Sequence, residues 1–360
     1  MRACGIHLLL LILLALPART SAQNAAAASD EKTESKTGDK SAPTLEIENW
    51  GVLNDLKTGL QTPTIAEVEV DDQPQFVRQL IRVEWRMHDP VELWIARPKV
   101  NGKVPVILYL YSYDDTGDRF RDNGWCKRAT ADGFAAVGFV SALTDYRFRF
   151  RPLKQWFVSE LAESLGTTVH DVQLILNYLA VRRDMDMDQV GMFGMGSGAS
   201  IAILSAHADP TRIKTLDLLD PWGDWPDWLK ESPLIQDGDR PKFLTPEFLK
   251  SVAALDPVAF LPSLKTQRLR LQQTLSEPVT PKIAKERLAA SVPDPSQVVK
   301  YGNPGELLKS WETGGLSGWI KQQVRLQTPK AVGDDGGVAL GGKKASSPSD
   351  SEGLATENEK

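Results

Sequence analysis

Three stretches, residues 64–70, 76–85 and 91–95, alternate apolar and polar positions, and His88, Asp89 and Pro90 supply a turn between the last two. Period-two alternation bounded by turn residues predicts antiparallel strands with one face toward solvent. Residues 104–111 are apolar nearly throughout, which suits a strand buried on both faces. From there strands and helices alternate. A helix carrying Trp125, Cys126 and Ala129 leads through Asp132 and Gly133 to a strand at 134–140. A longer helix, capped by Thr167 or Thr168, places Val172, Ile175, Leu176 and Leu179 at helical spacing. Further strands are predicted at 190–193, 213–219, 269–275 and 298–301, with helices at 200–207, 281–290 and 307–324. The fold class is therefore α/β, a mostly parallel sheet with helices on both faces, entered through antiparallel strands.

The ends of the chain read differently. Arg2, an apolar run over 6–16, Pro17 and the sequence Thr20, Ser21, Ala22 form the three-part pattern of a secretory signal peptide, with cleavage expected near Ala22. The mature protein is then exported, to a periplasm or the extracellular space. Its apolar run is short for a bilayer span and no later stretch is longer, so no stable membrane span is expected in the mature chain. Residues 23–43 and 328–360 are rich in Ala, Ser, Gly, Lys, Asp and Glu and lack the apolar content to fold, so they read as a linker and a disordered tail. The folded domain spans 44–327, with a small tryptophan-rich cap insertion at about 221–256. A net charge of −5 argues against nucleic acid as a partner. Loss of Cys4 with the signal leaves Cys126 alone, which excludes an internal disulfide.

Residues 190–199 carry the most specific local signal. An apolar strand runs into Gly194, Gly196, Ser197 and Gly198 and then into a helix, the pattern of a nucleophile elbow, in which a strained turn holds one reactive side chain above a parallel sheet. Counted from Gly194 in the small-x-nucleophile-x-small spacing, the nucleophile position falls on Gly196, and the serine comes one residue later at 197. Together with Asn177, Tyr178, Leu179 and Ala180 before it, and Ser276, Glu277, Pro278 and Val279 after a later strand, this stretch resembles the α/β-hydrolase family, nearest to dienelactone hydrolases, acetyl-xylan esterases and the catalytic domain of prolyl oligopeptidases. The resemblance covers about residues 64–324. It implies an eight-stranded type of sheet and a site built from a nucleophile, an acid, a histidine and two backbone N–H donors for an oxyanion.

Each part can be placed on a residue. Gly196 has no side chain to attack with, and glycine relieves the strain of that backbone position. Ser197 reads as a helix-start hydroxyl or as a displaced nucleophile. The family's base follows the last strand, yet no histidine occurs beyond His207. His207 lies at the far end of the elbow helix and His88 in a hairpin, which leaves His170 as the one histidine placed to approach, either as a base or as a surface or capping residue. Glu277 stands at the acid position, or satisfies the start of the next helix. Ser112 and Tyr113 could offer backbone N–H groups, but Asp114 and Asp115 would oppose a developing negative charge beside them.

Other residues suggest binding. Arg147, Arg149 and Arg151 alternate with aromatic residues and could present guanidinium groups to an anion or pair with local acids. Trp222, Trp225 and Trp228 could line a ligand site or form the core of the cap. With Tyr111 and Ser112, the residues Arg147, Arg149, Trp222 and Trp225 are the candidate ligand contacts. No cofactor fingerprint and no metal-ligand spacing is present, and the acidic run Asp184, Asp186, Asp188 reads as a turn. Two functions are compatible with the sequence. One is an exported hydrolase-fold protein whose catalytic machinery is lost and which binds an unknown small molecule or a protein. The other is an exported esterase or peptidase using Ser197 with an atypical base such as His170.

Overall fold

The computed structural model describes residues 48–56, 64–87, 89–113, 117–143, 157–265, 267–314 and 317–326. The signal-peptide stretch, His88, Asp114, Asp115, the arginine row with Arg147 and Arg149, and the C-terminal tail lie outside them.

Strands β1 (Thr64–Asp72), β2 (Phe76–Glu84) and β3 (Val91–Pro98) pair antiparallel in sequence order. Strand β4 (Val104–Leu110) leads through helix α1 (Asn123–Thr130) to β5 (Ala135–Phe139), which inserts between β3 and β4. Helix α2 (Leu161–Ala180), strand β6 (Met185–Met195), helix α3 (Ser197–Ala208) and strand β7 (Thr215–Leu219) follow. Four short helices come next, α4 (Trp225–Glu231), α5 (Arg240–Phe243), α6 (Pro246–Ala253) and α7 (Pro257–Phe260). The chain closes with β8 (Arg268–Thr274), α8 (Lys282–Ser291), β9 (Val298–Tyr301), α9 (Pro304–Gly314) and α10 (Gly318–Arg325). Among the described residues the sheet has nine strands in the order β1-β2-β3-β5-β4-β6-β7-β8-β9 and is parallel from β5 onward across to β9. It carries one antiparallel edge strand more than the expected eight-stranded type.

Strand β4 shows why its sequence is apolar on every position. Val104, Val106, Leu108 and Leu110 enter one core with α2 and α3, while Ile107 and Tyr109 enter a second core with Cys126, Phe193, Ile320 and Val324. A strand between two helical layers has no wet face, so alternation disappears. Helix α3 is buried from Ser197 to Ala206, which accounts for its lack of an amphipathic pattern.

Two local expectations are corrected. The acidic run after Asp184 is the start of β6, where Met185 and Asp186 pair with Val104 and Pro105 before an irregularity in register. Helix α2 begins at Leu161, so Thr167 and Thr168 are interior residues: Thr168 Oγ1 donates to the Ser164 carbonyl and accepts the Ala142 N–H. Gly166 looks like a break in the sequence but serves close approach. A Cβ there would lie 2.4 Å from the Trp50 carbonyl oxygen, because residues 48–56 pack across the helix at that point.

That segment is fastened by a buried polar network. Glu48 accepts from Arg86 Nε at 2.5 Å and Nη2 at 2.6 Å, and its Oε1 lies 2.5 Å from His170 Nδ1. Arg86 also donates to Asp171, which in turn accepts from Trp85 Nε1 at 2.8 Å. Burial pushes the Glu48 carboxyl up, but the hydrogen bonds and charges of Arg86 and His170 outweigh it and hold it below its ordinary value. A depressed folded value means that the carboxylate stabilises the protein above its unfolded pKa and that this contribution fades as acid carries the pH through the folded one. Glu48→Gln is therefore expected to lose about 1.5 kcal/mol at neutral pH, with the difference from wild type closing only as acid carries the pH below the depressed folded value; urea unfolding in a series from pH 7 downward past that point checks it.

Candidate functional site

The carboxyl ends of β4, β6, β7 and β8 open onto a cavity of about 470 Å³, with Pro304, Leu307 and Trp311 of α9 in its lining. In an open parallel sheet this edge is where ligands bind, since loops of independent strands converge there.

At the head of β6 the chain turns sharply into α3, and the glycine spacing has a steric cause. A Cβ on Gly194 would fall 2.5 Å from Ala199 Cα, and one on Gly198 would fall 2.2 Å from the Leu110 carbonyl oxygen. Those two glycines let α3 sit directly against its own strand and against β4. Between them Gly196 adopts φ 55°, ψ −123°, a conformation that strains any residue with a side chain. A Cβ there would also meet Ser112 Oγ at 2.3 Å and Ser112 Cβ at 2.9 Å. The space above the turn is thus filled by the end of β4.

Ser197 begins α3 and is almost wholly buried, and its Oγ accepts the Tyr113 N–H at 2.7 Å. The hydroxyl therefore ties the end of β4 to the turn instead of meeting a base. His170 is not brought near: it is the tenth residue of α2, fully buried, with Nδ1 on Glu48 and Nε2 3.0 Å from the Val52 carbonyl oxygen. This corrects the expectation that it sits in the first turns of its helix facing the site. His207 is 2.8 Å from Ser263 Oγ at the other end of α3.

Glu277 does line the cavity, but its carboxylate is already used. Oε1 accepts from Val279 N at 2.6 Å, Oε2 from Thr280 N at 3.2 Å, and the buried Lys285 Nζ stands 3.5 Å from Oε2. Lys285 also donates to the carbonyls of Thr274 and Glu277, so one ammonium locks the whole β8–α8 loop.

The aromatic candidates divide. Trp222 lines the cavity, held by its backbone: its N–H reaches the Gly196 carbonyl at 3.4 Å and its carbonyl accepts Ser200 Oγ at 2.6 Å. Trp225 is fully buried, donating from Nε1 to the Leu255 carbonyl at 3.0 Å and stacking edge-on with Trp228. It belongs to the same hydrophobic core as Trp228, Leu229 and Leu255 and does not line the cavity. Tyr111 is buried in a cluster with Phe120, Trp125 and Phe193, its hydroxyl accepting from Trp125 Nε1 at 2.9 Å and the Arg119 guanidinium over its ring. Of the described residues at the end of β4, Ser112 and Tyr113 reach the cavity and Tyr111 does not.

Asp220 is the residue that sequence reasoning missed. It follows β7 directly, lines the cavity and has a left-handed backbone, φ 46°, unusual for a non-glycine residue. Its Oδ1 accepts from Thr274 N at 2.7 Å. Burial raises its carboxyl to about 6, helped by the nearby charge of Glu277 and opposed by the Thr274 N–H and Lys285. An acid at the carboxyl end of a parallel strand, just before a Pro-Trp pair, was the available signal.

A family model described as X-Pro dipeptidyl-peptidase (S15 family) matches residues 89–279, more than half of the 360-residue chain. Curated protein sequences yield no match. Among solved structures, an acetyl xylan esterase from Paenibacillus sp. superposes with a TM-score of 0.55 at 13% identity, covering 76% of this chain and 92% of that one. An acetyl xylan esterase from Thermoanaerobacterium sp. gives 0.53 at 14%, over 72% and 90%. A putative dipeptidyl aminopeptidase IV from Bacteroides ovatus gives 0.50 at 13%, over 74% of this chain and 36% of that one. At these identities the likeness concerns the fold.

Proposed function

Because the chain belongs to the X-Pro dipeptidyl-peptidase (S15) family of α/β-hydrolases, we propose that it is an exported member in which the hydrolytic machinery is lost and the cavity above the sheet binds a ligand. The observation that carries this reading is the head of the strand-to-helix turn. The residue with the backbone of a nucleophile elbow is Gly196, and the volume a side chain would need there holds Ser112.

Two further observations support it. The Tyr113 N–H, which a tetrahedral intermediate would need as a donor, is bonded to Ser197 Oγ. No histidine follows β9, where the chain order of the family would place the base, and Gly302, Asn303 and Glu306 form a capping turn there instead. Among the described residues no histidine is partnered with Ser197: His170 is held by Glu48 and Val52, and His207 by Ser263.

Purified protein treated with a fluorophosphonate probe is expected to remain unlabelled, and p-nitrophenyl acetate is expected to hydrolyse at the rate of buffer with both wild type and Ser197→Ala. Labelling that disappears in Ser197→Ala would restore the exported serine hydrolase as the function.

A further inference from the structure

The cavity has a definite electrostatic character. Its described lining contains two carboxylates, Asp220 and Glu277, and the rings of Tyr113, Trp222 and Trp311, but no lysine, arginine or histidine. The remaining wall is mainly aliphatic. The two acids are not equivalent. Glu277 has two backbone N–H groups and the Lys285 ammonium, whereas Asp220 has the Thr274 N–H and no ion-pair partner among the described residues. Asp220, Glu277 and Lys285 together therefore carry one uncompensated negative charge when ionised, and it sits on Asp220, nine-tenths buried.

An anionic ligand would be repelled by this wall. A neutral one would leave the buried carboxylate as it is. A compact organic cation would neutralise it, and its apolar body would meet Trp222 and Tyr113, whose ring centroids are 6.5 Å apart. The negative faces of such rings attract ammonium groups as well as covering apolar surface. Resting on the ligand-binding reading above, we infer that the cavity selects a small organic cation with an apolar or aromatic body, with Asp220 as the counter-ion and Trp222 and Tyr113 as the walls. The volume suits a molecule of this size.

The probe is benzyltrimethylammonium, a cation whose charge does not change with pH, compared with benzyl alcohol and benzoate in titration calorimetry on the mature protein. Benzyltrimethylammonium is expected to bind, and the alcohol and benzoate to bind at least tenfold more weakly. Asp220→Asn, which keeps an oxygen for the Thr274 N–H, is expected to weaken the cation about tenfold or more and to leave the weak binding of benzyl alcohol unchanged. Affinity for the cation should rise between pH 5 and pH 8 by about tenfold, because a protonated Asp220 is not competent to bind it. Equal affinity for the three probes, binding that survives Asp220→Asn, or a flat pH dependence would each overturn the inference. Unfolding curves of the variants separate lost binding from lost fold. Fluorophosphonate labelling alone would overturn the non-catalytic reading and leave cation selectivity standing.

Discussion

Gly196→Ser is expected to destabilise the protein strongly and to create no esterase. The substitution restores the residue type that the spacing from Gly194 would carry in a working enzyme, but two penalties act at once. The backbone at φ 55°, ψ −123° strains any residue with a Cβ by about 1–3 kcal/mol. The new Cβ also lands 2.3 Å from Ser112 Oγ, so β4 or the turn must shift, an overpacking penalty of another ~1–3 kcal/mol. The two parts are separable. Ser112→Gly should remove the second and leave the first, so a double-mutant cycle in urea is expected to show coupling of ~1–3 kcal/mol in favour of the pair. Additive single effects would mean that Ser112 yields freely and that the turn is not filled in the sense described.

Asp220→Asn is expected to stabilise the protein at neutral pH. A carboxyl raised to about 6 in the folded chain, from an ordinary value of 3.8, binds a proton more readily folded than unfolded. Stability therefore falls as pH climbs from 3.8 to 6, and above that the full penalty is present, up to about 3 kcal/mol. Asparagine avoids it while keeping the acceptor for the Thr274 N–H. The melting temperature of Asp220→Asn should exceed that of wild type at pH 8 and converge with it near pH 4. A variant less stable than wild type at pH 8 would show that the ionised carboxylate is better solvated in the cavity than its burial implies. A gain in stability together with a loss of cation binding is the pattern expected where a site holds strain for its ligand.

The sequence made the sheet legible because each strand had its own signal. Strand β2 alternated and the central strands were apolar throughout, patterns that follow from how many faces a strand presents to helices, whereas β1 alternates in sequence and is yet exposed along nearly its whole length. The start of α2 was illegible for a physical reason. Gly166 and two threonines mimic a helix boundary, and only the packing of residues 48–56 shows that the glycine makes room for Trp50. His170 was misplaced with it, since its partners Glu48 and Val52 lie about 120 residues earlier in the chain and no local pattern links them. Within the site, Gly196 could be found from spacing alone, because Gly194 and Gly198 are fixed by contacts with neighbouring backbone. Asp220 could not be ranked above the other acids, because its distinguishing property is burial beside a cavity that the loops after β7 and β8 make together. Trp222 and Trp225 are three residues apart and identical in type, yet one lines the cavity and the other is fully buried in the core, on either side of the turn at Asp224.

The bond from the Tyr113 N–H to Ser197 Oγ has a pharmacological consequence. Boronates and trifluoromethyl ketones gain their grip on serine hydrolases by placing a charged oxygen against that kind of amide while joining a nucleophile. Here the amide already holds a tethered competitor from its own chain, at an effective concentration no diffusing inhibitor matches. On the proposed reading, compounds of that design, applied to a mixture of hydrolases, would pass this protein by, and a ligand made for it would address Asp220 and Trp222.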